Sequence, residues 1–245
     1  MALCSDAAMV LYYDITGDTA DHDDWHTYEH MHERLSIPGF VRATRWLASA
    51  GAPKYMVIYE VTGTDVATSA AYLERLNQPT PWTAAMMSRF RGMVRGFCSI
   101  VAGSGFGLGQ AAVSLRFTPL AGQEARLTDW LAREALPAMA SRRGMAGVHL
   151  LQPEPPPPMT KEQSLRGPDT PMSWLLLATA YDADALQRAI GAHLAPQALV
   201  QQGAAPEMTV GRYALHYTAT AQEVGRAAPH PVLPPDLRQV SGVRR

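Results

Sequence analysis

The chain has 245 residues, 47% of them hydrophobic and 18% charged, with a formal net charge of −1. That composition suits a globular protein with a sizeable core, built as one large domain or two small ones. It argues against a nucleic-acid partner, which normally demands a basic excess, and no apolar run approaches the ~18–20 residues that span a bilayer.

"MVLYYDI" (Met9 to Ile15) alternates as a strand does, and a helix is expected over Asp23 to Ser36, ending at "IPGF". Val41 to Ser49 and Lys54 to Thr62 read as strands joined by the turn "AGAP". Asp65 is the expected cap of a second helix, "VATSAAYLERLN", and "MVRGFCSIVAG" reads as a fourth strand. The glycine-rich Gly103 to Gln110 follows no nucleotide-binding pattern and reads as a linker. The order then recurs: "AAVSLRFT", a helix through "EARLTDWLAREALPAMASRR", the strands "GVHLLQPE" and "SWLLLATAYD", the helix "ADALQRAIGAHL", and the strand "GRYALHYTA". At a constant spacing of 105, Trp25, Glu29, Gly39 and Phe40 fall on Trp130, Glu134, Gly144 and Met145.

Two βαββαβ units are therefore expected, at 1–102 and 111–220, around a linker at 103–110. A proline-rich insertion at 153–171 reads as an extended surface loop, and the tail at 221–245 as irregular. A ferredoxin-like βαββαβ unit leaves one sheet face apolar. The expected fold is thus α+β: two tandem ferredoxin-like repeats packing their antiparallel sheets as an intrachain dimeric α/β barrel. Cys4 and Cys98 form neither a disulfide framework nor a zinc motif, and the sequence opens without a leader pattern, so a cytoplasmic setting is expected. A further pairing into a homodimer stays open.

The chemistry-bearing residues concentrate in "DDWHTYEHMHERLSIPGF" (23–40). On an ideal α-helix, Trp25, Tyr28, Met31, His32 and Leu35 form the stripe expected against the sheet. His26, His30, Glu33 and Ile37 fall on the opposite side, with Glu29 at the border. Three readings follow. The stretch is a solvated face with small pairwise stabilisation; or His26, His30 and Glu33 hold a metal; or the histidines act as acid and base beside a carboxylate. In the second unit Leu131, Ala135 and Ala138 replace His26, His30 and Glu33. A duplicated scaffold needs its packing twice and its chemistry once, which favours the acid/base reading.

The run from Trp25 through "EHMHERLSIPGF" to Arg42 and Arg45, with "AAYLERLNQPTPW" downstream, resembles the EthD-like branch of the dimeric α/β-barrel superfamily. The resemblance is carried by Glu29-His30 and Pro38-Gly39-Phe40 and covers about Met9 to Val101; His32 stands where relatives often have proline. It implies a small-molecule site on the first helix and cofactor-independent isomerases, lyases or small oxygenases, some relatives binding haem. The expected function is a cofactor-independent acid/base enzyme of isomerase, lyase or decarboxylase type, acting on a small aromatic-derived or ketone-containing catabolite. His30 is the expected base or acid, with Glu29 or Glu33 orienting it and His26 and His32 as further candidates. Tyr28, Arg42, Arg45, Tyr59 and Trp82 are expected to bind substrate. The alternatives are a haem- or metal-dependent oxygenase and a non-catalytic binding barrel. Arg89, Arg91 and Arg95 read as surface charge and Cys98 as inert; His149 and His216, on second-unit strands, are minor candidates for a shared barrel interior.

Overall fold

The computed structural model describes residues 3–51 and 53–226. The first half carries strands β1 (Ala7–Ile15), β2 (Phe40–Ala50), β3 (Tyr55–Val61) and β4 (Phe90–Gly105). The second carries β5 (Ala111–Phe117), β6 (Met145–Pro153), the two-residue β7 (Thr170–Pro171), β8 (Trp174–Ala180) and β9 (Thr209–Thr220). The halves pair in corresponding orders, β4-β1-β3-β2 and β9-β5-β8-β6. Antiparallel seams β2–β9 and β4–β6 join them into a closed eight-stranded barrel, with β7 a short parallel addition to β4. Closure removes the exposed strand edges that an open sheet presents.

Alternation along the strands divides the core into three. Ala8, Val10 and Tyr12 of β1 point into the barrel with Trp46, Met56 and Tyr213. Ala7, Met9 and Tyr13 point outward to the helices of the first half, and a third cluster lies under those of the second. The barrel interior is thus filled with large side chains, as small barrels are. His149 shares the inward face with Leu151, opposite Leu177, and burial pushes its pKa down to about 4.

In the first half, α1 (Thr19–Trp25), a wider turn over His26–His30 and α2 (Met31–Leu35) form the long first helix. Asp18 caps it by accepting the Ala20 N–H at 2.9 Å. α3 (Ala70–Asn77) and α4 (Pro81–Met87) follow. Ser69, not Asp65, caps α3, accepting the Tyr72 N–H, and residues 64–68 form a 3₁₀ turn instead. In the second half, α5 (Glu124–Trp130), a wider turn over Leu131–Ala135 and α6 (Leu136–Ala140) repeat the pattern, followed by α7 (Lys161–Arg166), α8 (Ala183–His193), α9 (Pro196–Gln201) and α10 (Ala221–Arg226). Gly39 and Gly144 have φ of 97° and 94°. A Cβ there would lie 2.5 Å from Val66 Cγ2 or 2.4 Å from Ala185 Cβ, so each position requires glycine for conformation and for space.

Three expectations need correction. Gly103–Gly105 of the expected linker continue β4 and pair with Gly147, Val148 and His149. The insertion is not merely an extended surface loop: a capping box at Thr160 starts α7, which buries Glu162 and Gln163 against the first half. The tail begins with a helix at 221–226, while 227–245 lies outside the described residues. No helix among the described residues is long and apolar enough to cross a membrane.

Candidate functional site

The first helix departs from α geometry at the chemistry-bearing residues. The Met31 N–H bonds to the His26 carbonyl, an i→i+5 link that makes the turn wider and advances fewer degrees per residue. On a regular α-helix, positions four apart drift around the axis; the wide turn cancels that drift. His22, His26, His30 and Arg34 therefore stay on one inward face, with exposures of 0, 3, 8 and 2%. His32 and Glu33 are displaced to half-buried positions off the cavity. The wheel expected His32 to face inward and His26 and His30 outward; the wide turn reverses both.

His26, His30 and Arg34 of this ladder form one wall of a cavity between the first-half helices and the outer face of their sheet, covered by α7; His22 lies behind them, off the cavity. The cavity is small, with a volume of about 30 Å³. Met9, Leu11, Met87, Phe90 and Met93 supply an apolar side; His26, His30, Tyr59, Arg34, Arg95 and Arg166 supply a polar one. The three histidine rings stack in file, 5.5 Å between His22 and His26 and 5.7 Å between His26 and His30, and Trp25 lies 4.4 Å from the His30 ring.

Their tautomers follow from their partners. Arg45 Nη1 lies 3.1 Å from His26 Nδ1, and a guanidinium can only donate. Neutral His26 therefore carries its proton on Nε2 and donates to Tyr59 Oη at 3.0 Å. His22 is the reverse: Asp23 accepts from its Nδ1 at 3.0 Å, so its Nε2 accepts from Tyr13 Oη at 3.2 Å. Of these two cavity tyrosines, Tyr13 spends its proton on His22, whereas Tyr59 keeps its own to donate elsewhere. Burial pushes the Tyr59 phenol above its usual value, so it stays a donor at neutral pH.

Burial lowers all three imidazoles. His26 is held well below the usual value by burial and Arg45, and His30 by burial and the charges of Arg34 and Arg166. Burial also lowers His22, although Asp23 opposes it. His30 Nδ1 is buried and has no hydrogen-bond partner among the described residues. One turn on, Arg34 Nη2 donates to both Glu162 oxygens at 2.7 and 2.5 Å, while its Nη1 is likewise without a partner. Burial works against the Arg34 charge, but Glu162 raises the guanidinium above its ordinary value. Arg95 donates to Tyr72 Oη and, with Arg166, to Asp169.

The sequence-derived candidates divide clearly. His26, His30 and Tyr59 line the cavity, and Arg45 supports His26 while also donating to Thr27, His216 and the Asp23 carbonyl. Glu29 does not orient His30: its Oε1 accepts from Thr80 and Thr83 at 2.5 and 3.1 Å, tying the helix to α4. Glu33 pairs with Arg75 at 3.1 Å, Arg42 with Glu60, and Trp82 donates to Asp21. These residues, with Tyr28 and His32, do not line the cavity. The metal set His26, His30 and Glu33 does not converge, because both His26 nitrogens are engaged and Glu33 faces α3; among the described residues no group of three such ligands does. Arg95 is a buried cavity residue, not surface charge. His22, Arg34, Glu162 and Arg166 were missed. A spacing of four from His22 to Arg34 was the available signal for the first two; nothing local marked the others.

No family model matches the chain, and no curated protein matches it. Solved structures match in fold. An anthrone oxidase-like protein aligns with a TM-score of 0.63 at 11% identity, covering 93% of this chain and 99% of its own. A proposed monooxygenase from Fusobacterium nucleatum aligns at 0.59 and 8% identity, covering 89% and 95%. A proposed chlorite dismutase aligns at 0.53 and 11%, covering 89% and 96%. At such identities the likeness is one of fold, and the fold is that of the dimeric α/β barrels.

Proposed function

We propose that the first-half cavity is the active site of a cofactor-independent enzyme that removes a proton from carbon beside a carbonyl. The observation that carries this reading is the buried, partnerless Nδ1 of a neutral His30 on a cavity shared with two hydrogen-bond donors, Tyr59 Oη and Arg34 Nη1. His30 takes the proton from the C–H bond, and the electron pair moves into an enolate whose oxygen accepts from Tyr59 or Arg34. His26 and Arg45 are positioning residues that fix the direction of the Tyr59 proton. Returning the proton to another carbon completes an isomerisation; loss of a group from the adjacent carbon completes an elimination. The methionine and phenylalanine side suits the apolar part of a compact ketone or aromatic-derived substrate.

The origin of the halves by duplication, supported by the 105-residue register, and the EthD-like assignment, supported by the Glu29-His30 and Pro38-Gly39-Phe40 motifs, belong to the same reading.

Deuterium incorporation into a panel of small ketones in D₂O, followed by proton NMR, tests the proposal. His30→Ala is expected to slow exchange by about 10²–10⁴, and Tyr59→Phe by about 10²–10³. Because His30 is lowered, kcat/KM should stay flat as pH falls through 6.5 and decline only below it. Unchanged exchange in His30→Ala would remove the reading.

A further inference from the structure

Resting on that assignment of the cavity, we infer that its ligand is an organic monoanion, held as a carboxylate or enolate by Arg34 beneath α7, with its apolar part against Met87, Phe90 and Met93. Three guanidinium groups line the cavity, those of Arg34, Arg95 and Arg166. Two carboxylates meet them: Glu162 on Arg34, and Asp169 shared by Arg95 and Arg166. The lining histidines are neutral, so one positive charge is left over in a region where each of these three side chains is at most 6% exposed. A buried charge without compensation is costly, and an anionic ligand removes that cost.

The contact geometry locates the anion. Both Glu162 oxygens lie on Arg34 Nη2, leaving the Nη1 donors buried and without a partner among the described residues. A guanidinium whose Nη1 donors are free can donate through that nitrogen to a second carboxylate. Glu162 belongs to the insertion, not to the half that owns the cavity, and α7 packs on α3 and α4. The capping box and the Arg166–Asp169 pair hold α7 together as a unit. The second half thus contributes both a cover and a competing carboxylate to the first half's site.

Calorimetric titration of the full chain with acetate, butyrate and benzoate, each beside its neutral amide, tests this without turnover. At least one carboxylate should bind about tenfold or more tightly than its amide, and Arg34→Lys should remove most of that preference. Glu162→Gln discriminates further, because removing the competing carboxylate should strengthen carboxylate binding several-fold. A structural role for Glu162 alone would weaken binding instead, and that result would overturn the inference. So would equal binding, or no binding, of every acid and amide pair. A protein that binds carboxylates but exchanges no carbon-bound proton would keep this inference and lose the preceding one.

Discussion

The two halves of the barrel carry the same wide turn at the same place and use it for opposite ends. His22, His26, His30 and Arg34 in the first helix correspond, at a spacing of 105, to Leu127, Leu131, Ala135 and Met139 in the second half. All eight side chains are buried. The Leu136 N–H bonds to the Leu131 carbonyl as the Met31 N–H bonds to that of His26. The turn is therefore a property of the scaffold and not a consequence of the histidines. Leucine, alanine and methionine on that face make it core. Imidazoles and a guanidinium, which pack with orphaned polar atoms, make it the wall of a cavity. On the same backbone the two halves differ by these four side chains and by the cover that α7 lays over the first.

Transplanting the polar ladder should give the largest effect. Leu131→His with Ala135→His places two imidazoles where neither Arg45 nor Tyr59 has an equivalent contact. Unpartnered burial costs about 1–3 kcal/mol per group, and the added bulk at Ala135 a similar amount. A loss of roughly 3–9 kcal/mol in urea unfolding is expected, and a loss below about 1 kcal/mol would mean that the second half tolerates polar groups as well as the first.

Acid should act through the first half and the barrel. His22, His26, His30 and His149 are all lowered from 6.5 in the folded state, His149 to about 4. The unfolded chain then binds more protons between those values and 6.5, so stability is full above pH 6.5 and falls as pH drops toward 4. Glu33 and Glu60, raised by burial, offset part of this. His149 alone corresponds to roughly 3 kcal/mol. Replacing His22, whose ring packs among Tyr55, Tyr13 and His26, with leucine should flatten the profile measured by thermal unfolding between pH 7 and 4.5.

The smallest effect separates an equivalent pair of glutamates. Glu29 is half-buried and bound to two threonines, one of which caps α4; Glu134 is exposed. Glu29→Ala should cost about 1–2 kcal/mol, and Glu134→Ala within about 0.5 kcal/mol. Equal costs would contradict the anchoring role of Glu29.

Much of this was legible in the sequence. Alternation in Met9–Ile15 and turn-bounded apolar runs after it marked the eight barrel strands, and the fixed spacing of Trp25 with Trp130 and Gly39 with Gly144 aligned the halves. His26 and His30 were picked out because titratable residues crowded one helix and vanished from its counterpart, whereas Tyr59, on β3, was named only as an enolate donor beside Tyr28. Their direction was not legible, because a wheel drawn at a constant angle per residue fails across an i→i+5 turn that no local residue type announces. Glu29 stood out beside His30 in sequence, yet adjacent residues on a helix point apart, and its carboxylate went to α4. Glu162 and Arg166 were hidden for a different reason. They reach the site from a proline-rich insertion some 130 residues away, and only the barrel topology brings it over the first half.

The central claim is that side chains on a shared scaffold, and not the scaffold itself, make the first half functional. The double variant His26→Leu with His30→Ala gives the first helix the residues its counterpart carries at Leu131 and Ala135. Deuterium exchange into a ketone substrate of the native protein should be lost to background, while thermal unfolding remains cooperative. Exchange persisting within a factor of about two of the native rate would contradict the account.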